Sequence, residues 1–249
     1  MHRLFVPPEQ LQPAREPLIR LTAEQARHLG TVLRLKPGEE LEVFDGKGAR
    51  YRAWLEGAPG LDAAVLRIAE PLPEGPLRAV DVVLVQALAK GEKMDLIIRK
   101  ATELGAARIV PLASARAVVR LDAEGGGTRA ARWRKVAEEA ARQCGRADVP
   151  CIDAPADWGG VLALLREEPA RRGLLLDPEE KTLRLGQASR GARRVLIAVG
   201  PEGGFSPEER ARAQAGGMIA AGLGPLVLRT ETAGLAALSV VLHVHGELG

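Results

Sequence analysis

The sequence predicts an α/β protein whose parallel sheet is preceded by a smaller domain made mostly of strands. Three observations support this fold class. Apolar strands alternate with helices after residue 77, a proline-rich segment (EPLPEGP at 70–76) precedes them, and two late strands each end in a glycine turn. Alternation of strands and helices is typical of a parallel sheet covered by helices. The predicted domains are residues 1–72 and residues 77–249.

The first domain is predicted to be a small, mostly β module. A helix is expected over residues 22–33, with Thr22 as its N-cap. DGKG at 45–48 lies between two segments of alternating polarity, which indicates a β-hairpin. The four strands expected in this domain cover residues 4–6, 41–44, 51–55 and 63–68.

The second domain is predicted to be a doubly wound parallel sheet. Nearly continuous apolar runs such as residues 80–87 are typical of strands that are buried on both faces. Gly105 is the expected C-cap of one helix, and Ser206 is the expected N-cap of another. The strands are expected over residues 80–87, 108–112, 149–152, 173–176, 195–199 and 218–223. Helices are expected up to residue 104, over 128–143, around 161–165, from 207 onward and at the C-terminus.

Two glycine turns organise the end of the chain. The first, GPEGG at 200–204, follows one strand, and the second, LGP at 223–225, follows the next. Open α/β sheets bind ligands at the carboxyl ends of their strands, and glycine lets the backbone approach a ligand closely. The spacing matches neither a dinucleotide fingerprint nor a P-loop. The turns therefore predict a ligand held by backbone groups, although tight strand–helix turns alone would also use glycine.

Composition excludes several classes of protein. Charged residues make up 27% and hydrophobic residues 46%, as in ordinary soluble proteins. No apolar run approaches the ~20 residues of a membrane span, and the N-terminus lacks the pattern of a signal peptide, so a cytoplasmic location is expected. Cys144, Cys151 and four scattered histidines form no zinc pattern, so no metal is expected.

Positive charge is concentrated in residues 116–146. This segment holds eight Lys or Arg against four Asp or Glu, a net +4 that exceeds the +3 of the whole chain. Such a stripe suits RNA phosphates, although a solvated helix face would look the same. The candidate RNA contacts are Arg3 and Arg34 in the first domain, and Arg116, Arg120, Arg132 and Arg146 in the basic segment.

The polar residues around the glycine turns are the candidates for chemistry. No Ser–His–Asp or Cys–His arrangement stands out. Arg229 lies between an apolar strand and a helix start, where structure alone does not require arginine, and an arginine stabilises developing negative charge. Glu202 is a candidate to accept a proton or to orient that arginine. Glu231, with Thr230 or Thr232, is predicted instead to cap the last helix.

Several motifs, in the right order, resemble the SPOUT-class RNA methyltransferases and most closely the RsmE family. The resemblance covers essentially the whole chain. The motifs are HLGTVLRLKPGEELEVFDGKG at 28–48, VQALAKGEKMDLIIRKATELGAARIVPL at 85–112, RWRKVAEEAARQCGRADVP at 132–150, GPEGGFSPEE at 200–209 and LGPLVLRTETA at 223–233.

The resemblance implies a fold that periodicity cannot predict. Residues 1–72 would form a PUA-like β-barrel, and residues 77–249 a SPOUT domain with a deep trefoil knot around S-adenosylmethionine. Knots are rare exceptions to the usual rules of chain connection. The implied activity is methylation of N3 of a specific uridine in 16S rRNA, within the small ribosomal subunit, by a homodimer without membrane contact.

The resemblance also implies a set of site residues. Arg229, Glu202 and Thr232 would lie near the methyl group or the target base. The family usually has arginine at the position of Leu226, so its role is absent here or is supplied by another residue such as Arg193 or Arg194. Cofactor contacts are implied at Leu176, Val199, Gly200, Gly203, Leu223, Gly224 and Leu228.

Two other functions remain open at the level of sequence. One is an RNA-binding ribosome-assembly factor without catalysis, which would keep every feature except the glycine turns and the region of Arg229. The other is a SPOUT methyltransferase that acts on another rRNA position or on tRNA. Cofactor affinity separates the first alternative from an enzyme, and mapping of the methylated nucleotide separates the second.

Overall fold

The computed structural model describes residues 1–11, 17–57, 64–73, 75, 78–117 and 123–249, and it describes only the backbone of residues 123–126. The chain divides into two compact units. The N-terminal unit contains Met1–Pro76 and Ala141–Val149, and the C-terminal unit contains Leu77–Ala140 and Pro150–Gly249. Residues 141–149 thus belong with the N-terminal unit, although the sequence predicted them as part of the second domain.

The N-terminal unit is built on a five-stranded sheet in the order β1-β3-β4-β5-β2. The predicted hairpin is confirmed, since β3 and β4 pair antiparallel with Leu41 opposite Ala53. Strand β2 was not predicted, because three residues at a sheet edge are too few to show alternation. The strands are β1 (His2–Phe5), β2 (Leu18–Arg20), β3 (Glu40–Phe44), β4 (Arg50–Glu56) and β5 (Val65–Pro71).

Helix α1 (Ala23–Arg27) begins where the sequence predicted. The hydroxyl of Thr22 accepts a hydrogen bond from the backbone N–H of Gln25, and the side-chain oxygen of Gln25 accepts one from Thr22 N–H. This reciprocal pair is a capping box. The helical run continues as a π-helix over His28–Val32, so the predicted helix exists but changes its hydrogen-bonding pattern.

The C-terminal unit contains a six-stranded sheet in the order β11-β9-β10-β6-β7-β8. Its paired strands all run parallel, as predicted. Strand β9 lies between the two strands that end in glycine turns, so these strands are not neighbours. The strands are β6 (Asp81–Ala87), β7 (Arg108–Leu112), β8 (Cys151–Ile152), β9 (Arg172–Leu176), β10 (Arg194–Val199) and β11 (Ile219–Ala221).

Helices cover both faces of this sheet. They are α2 (Lys93–Leu104), α3 (Ala123–Cys144), α4 (Trp158–Arg166), α5 (Leu185–Ser189), α6 (Pro207–Ala215) and α7 (Thr230–Val244). Helix α7 packs against α2 and α5, and α4 packs against α6. Val85 of β6 packs in the cluster that contains Trp158 of α4, whereas the adjacent Leu84 and Gln86 lie near Gly234 of α7. Successive strand residues therefore serve opposite faces.

Most of the predicted helix ends are confirmed. Gly105 closes α2 with a left-handed φ of 107°, and Ser206 caps α6 with Pro207 at its first position. Helix α5 was not predicted, because five residues without a capping side chain give little periodic signal. Among the described residues, no helix combines the length and the apolar character needed to cross a membrane.

Candidate active site

A pocket of about 310 Å³ lies at the carboxyl edge of the C-terminal sheet. Three neighbouring strands, β9, β10 and β11, supply its walls, which are residues 176–179, residues 199–205 and five residues between 223 and 228. The sequence predicted a ligand across the ends of two strands, and the structure places the end of β9 between them. The remaining lining residues are Arg116, Arg210, Thr230 and Ala233.

The pocket brings together most of the predicted site. Glu202 lines it, and so does each predicted cofactor contact. Arg229 and Thr232 are exposed at the start of α7, beside the lining residues Leu228, Thr230 and Ala233 but not among them. The predicted cofactor contacts found in the lining are Leu176, Val199, Gly200, Gly203, Leu223, Gly224 and Leu228.

Thr230 fastens the first glycine turn to α7. Its buried hydroxyl donates to the carbonyl of Gly200 at 2.7 Å and accepts from Nε2 of Gln86 at 2.8 Å. The prediction that Glu231, with Thr230 or Thr232, caps α7 is wrong, because the N-cap is Arg229 and no side chain makes the capping bond, although Glu231 does lie in the first turn of the helix. Thr230, the first residue of α7, instead links this helix to Gly200 at the end of β10 and to Gln86 of β6.

Backbone geometry favours glycine at two positions of the first turn. A Cβ on Gly200 would lie 3.3 Å from both Cα of Gly204 and the backbone nitrogen of Phe205. Gly204 has a φ of 67°, which side chains disfavour. Its N–H donates to the carbonyl of Pro201 at 2.9 Å. The turn is therefore compact, and its backbone forms part of the pocket wall.

Glu209 stabilises the segment after the first glycine turn through three hydrogen bonds to its carboxylate. Its carboxylate accepts from the backbone N–H of Ser206, from the indole N–H of Trp158 at 3.0 Å and from the backbone N–H of Ala115 at 2.9 Å. The side chain is buried, and these donors satisfy it. The loop held at Ala115 continues into Arg116, which donates to the carbonyl of Gly203 at 2.9 Å.

Sequence reasoning missed Lys93, the first residue of α2. Its Nζ lies 2.7 Å from a carboxylate oxygen of Glu202 and 3.2 Å from one of Glu231. Hydrogen bonding to Glu202 and then Glu231 raises the pKa of Lys93, and the bond from Lys93 lowers the pKa of Glu202. A lower pKa makes Glu202 a weaker base, which disfavours it as the proton acceptor. No local pattern signals contacts between residues so distant in sequence.

The pocket wall mixes apolar, acidic and basic groups. Arg210 pairs with Asp177 at 3.3 Å and with Glu179 at 2.6 Å, so its charge is balanced within the wall. Glu179 and Asp177 both lie in the turn after β9. The apolar part of the wall includes Leu176, Val199, Leu223 and Leu228. Such a surface suits a ligand that has an apolar ring and positively charged groups.

The structure contradicts two predicted RNA contacts, Arg3 and Arg146. The side chain of Arg3 is only 12% exposed, pairs with Glu42 at 2.7 Å and stacks over the ring of Phe44. The side chain of Arg146 is 8% exposed and pairs with Asp148 at 2.8 Å. Both guanidinium groups are thus used within the N-terminal unit and are not available to phosphates.

The other predicted RNA contacts have different surroundings. Arg34 is exposed, with an unusual positive φ of 54°. Arg132 is exposed and pairs with Asp95. Arg116 lines the pocket, and Arg120 lies outside the described residues. Their role in RNA binding stays a prediction.

The family usually has an arginine at the position of Leu226, and the sequence suggested Arg193 or Arg194 as its replacement. This suggestion is wrong. Leu226 lines the pocket and is 75% exposed. Arg193 and Arg194 instead line a second cavity, of about 820 Å³, where the strands begin. Strand β10 separates Arg194 from the pocket, and a strand advances about 3.3 Å per residue, so the two sites are about 16 Å apart. Neither arginine reaches the pocket.

Comparison with known families defines the class of this protein. An RNA methyltransferase domain family matches residues 76–242, and an RNA methyltransferase PUA domain family matches residues 21–69. The first match covers more than half of the chain. The fold is therefore that of an α/β RNA methyltransferase with a PUA domain.

Individual relatives narrow the class. Ribosomal RNA small subunit methyltransferase E of Mycobacterium bovis is 39% identical over 222 residues, 88% of this chain and 83% of the relative. The same-named Neisseria gonorrhoeae protein, solved with bound S-adenosylmethionine, is 30% identical with a TM-score of 0.86, covering 98% of this chain and 97% of that one. A Legionella pneumophila protein described as a methyltransferase, also solved with its cofactor SAM, is 33% identical with a TM-score of 0.86, covering 97% and 96%. The chain belongs to the ribosomal RNA small subunit methyltransferase E (RsmE) family, which confirms the resemblance in the motifs.

Proposed function

We propose that this protein transfers a methyl group from S-adenosylmethionine to N3 of a specific uridine in 16S rRNA. The observation that carries the proposal is the pocket at the carboxyl edge, where all the predicted cofactor contacts converge beside Arg229. Family membership supports an S-adenosylmethionine-dependent rRNA methyltransferase. The choice of uridine N3 is supported by the motif resemblance.

The residues of the pocket fit this cofactor. Its volume of about 310 Å³ lies at the lower end of the roughly 300–1,000 Å³ that is usual for small-molecule sites. The leucines and Val199 offer apolar contact to an adenine ring. Asp177, Glu179 and Glu202 complement the positive charges of the sulfonium and ammonium groups, and the glycine turns present backbone groups to the ligand.

The chemistry requires a deprotonated base held in line with the methyl group. S-adenosylmethionine supplies the sulfonium methyl group when bound. Uridine N3 normally carries a proton and lies on the Watson–Crick edge, so the base has to be unpaired or flipped out. Arg229 stabilises the negative charge that spreads onto the uracil carbonyl oxygens as N3 loses its proton. Thr232, in the first turn of the helix that follows Arg229, contacts the base.

Water takes the N3 proton in this mechanism. Glu202 is bound to Lys93 and its pKa is lowered, so it is a poor acceptor. Its role is to hold the first glycine turn in place and to contribute negative charge near the sulfonium group. Turnover then depends on geometry, and in-line positioning alone supplies much of the rate acceleration.

The proposal includes the finer architecture implied by the family. Residues 1–72 form a PUA-like β-barrel that binds RNA, and residues 77–249 form a knotted SPOUT domain. Gly222, after β11, lies against the segment that precedes α5: its N–H donates to the carbonyl of Leu183, and its own carbonyl accepts from Leu185 N–H. Arg34, Arg116 and Arg132 contact RNA phosphates.

The proposal also includes a cytoplasmic homodimer that acts on the small ribosomal subunit. Leu226 and Val227, which line the pocket, are 75% and 80% exposed. Adjacent exposed apolar side chains at a site are typical of an interaction surface. A second subunit that covers them would complete the pocket on its open side.

Methyl transfer from labelled S-adenosylmethionine tests this function. The substrates are undermethylated small ribosomal subunits, naked 16S rRNA and tRNA, followed by mapping of the product nucleotide. We expect label at one site, as N3-methyluridine in 16S rRNA. Label in tRNA or at another atom would replace the proposed substrate. Absence of both cofactor binding and transfer would favour the non-catalytic RNA-binding factor.

A further inference from the structure

Lys93 joins two walls of the pocket without lining it. Helix α2 contributes no residue to the lining, yet Nζ of its first residue reaches Glu202 at 2.7 Å and Glu231 at 3.2 Å. Glu202 belongs to the first glycine turn, after β10. Glu231 belongs to the first turn of α7, between the lining residues Thr230 and Ala233. We call these three side chains the Lys93 bridge.

The position of Lys93 in its own helix offers no reason for a lysine. The first turn of a helix carries the positive end of the helix dipole, which favours acidic side chains and disfavours basic ones. The sequence follows that preference elsewhere, since Glu208 and Glu209 occupy the first turn of α6. A lysine at the start of α2 therefore needs a compensating interaction, and the two carboxylates supply it.

The two carboxylates in turn need the lysine. Because each has an oxygen within 3.2 Å of the same nitrogen, those oxygens lie no more than about 6 Å apart. Like charges at that distance repel. The side chain of Glu231 is only 16% exposed, so solvent screens this repulsion weakly. Loss of Lys93 would push the glycine turn and the start of α7 apart.

We propose that Lys93 is a positioning residue, which sets the width of the cofactor pocket by holding the first glycine turn against the first turn of α7. This inference rests on the proposed function for the identity of the ligand, S-adenosylmethionine. Lys93 touches neither cofactor nor RNA in this account. It acts through Glu202 and Glu231, and therefore on the residues beside them in the pocket wall.

Calorimetric titration with S-adenosylmethionine tests the inference in the full-length protein. We expect Lys93→Met to weaken binding about tenfold, equivalent to about 1.4 kcal/mol. Lys93→Arg keeps the charge and should restore most of the affinity. Lys100→Met is the matched control, because Lys100 lies on the same helix and pairs with Glu103 at 2.7 Å. It should bind S-adenosylmethionine like the wild type.

A double variant separates positioning from general destabilisation. In Lys93→Met/Glu231→Gln one of the two repelling charges is gone, so this protein should bind S-adenosylmethionine about threefold more tightly than Lys93→Met alone. Coupling of this size is usual for residues in contact. A lysine that merely stabilised α2 would give additive losses instead.

The dependence of affinity on pH is a second readout. Since Lys93 lowers the pKa of Glu202, the ionised bridge persists above that lowered pKa and is lost as the pH falls through it. In Lys93→Met the pKa of Glu202 rises, so affinity should begin to fall at a higher pH. Glu231 also faces Lys93, and Glu231→Gln removes its contribution.

Two results would overturn the inference. One is a Lys93→Met protein that binds S-adenosylmethionine as tightly as the wild type, and the other is a double variant without recovery. Because these titrations contain no RNA, an error in the proposed rRNA target would appear only in the transfer and mapping experiment. The two proposals therefore fail separately.

Discussion

The two edges of the C-terminal sheet differ in what their cavities offer a ligand. The carboxyl edge has a pocket of about 310 Å³ with glycine turns, several apolar side chains and three carboxylates. The amino edge has a cavity of about 820 Å³ that is lined by Arg78, Arg171, Arg172, Arg193 and Arg194. By charge alone, the second cavity would be the better candidate for an RNA-binding site.

The glycine turns, rather than the number of positive charges, distinguish the proposed site at the carboxyl edge from the cavity at the amino edge. Several arginines of the amino edge are used in structure: Arg172 donates to the carbonyls of Ala188 and Arg190, and Arg78 to that of Gly105. At the carboxyl edge Arg229 makes no capping bond and is exposed beside the pocket. An arginine that has no such structural role is therefore a better candidate for a role in function.

The largest expected effect compares an arginine from each edge. Arg229→Ala should lower kcat about 10²- to 10³-fold, the usual loss when a group that stabilises an oxyanion is removed. Affinity for S-adenosylmethionine should stay within about twofold of the wild type, since Arg229 does not line the pocket. Arg193→Ala, at the amino edge, should change neither quantity. Normal turnover by Arg229→Ala would exclude its assigned role.

The next comparison uses one glycine from each edge. A Cβ at Gly222, after β11, would lie 2.2 Å from the backbone carbonyl oxygen of Glu180, whereas at Gly173 it would meet the flexible tip of Leu165 at 2.8 Å. Gly222→Ala should cost about 3 kcal/mol, which lowers the melting temperature of a chain of this size by roughly 6–12 °C.

Gly173→Ala should cost less, because the side chain of Leu165 can move and a backbone carbonyl cannot. Thermal melting of both proteins checks the order. Equal shifts would mean that the backbone near Gly222 yields as easily as a side chain.

The smallest expected effect tests the hydrogen bonds of the Glu209 carboxylate. Glu209→Gln disturbs the buried acceptor of three hydrogen bonds and should cost about 2 kcal/mol of unfolding free energy. Glu208→Gln is the control, because Glu208 is the exposed neighbour in the same helical turn. Denaturant unfolding measures both. A Glu209→Gln protein as stable as Glu208→Gln would mean that other contacts hold the loop of Arg116.

Local signals predicted much of the fold. Strand β7 has the predicted bounds, Gly105 ends α2, and Ser206 begins α6, because apolar runs, left-handed glycines and capping residues act over a few positions. Strand β2 and helix α5 were not predicted, because they contain too few residues to show a periodic pattern.

The sequence predicted the backbone features of the candidate site, but it did not predict contacts between residues that are distant in sequence. The glycine turns indicated the pocket correctly. Lys93 and Glu202 are separated by 109 residues, so only the folded chain shows their contact. Burial likewise decides the fate of arginines: Arg3 and Arg34 look alike in sequence, yet only the second has an exposed side chain.

The most direct test of the central claim is a crystal structure of this protein with S-adenosylhomocysteine, the product form of the cofactor. The account predicts ligand density at the carboxyl edge, between the first glycine turn and residues 223–228, with the ring against Leu176 and Leu223. Density in the arginine-lined cavity at the amino edge, with the carboxyl-edge pocket lacking ligand, would contradict it.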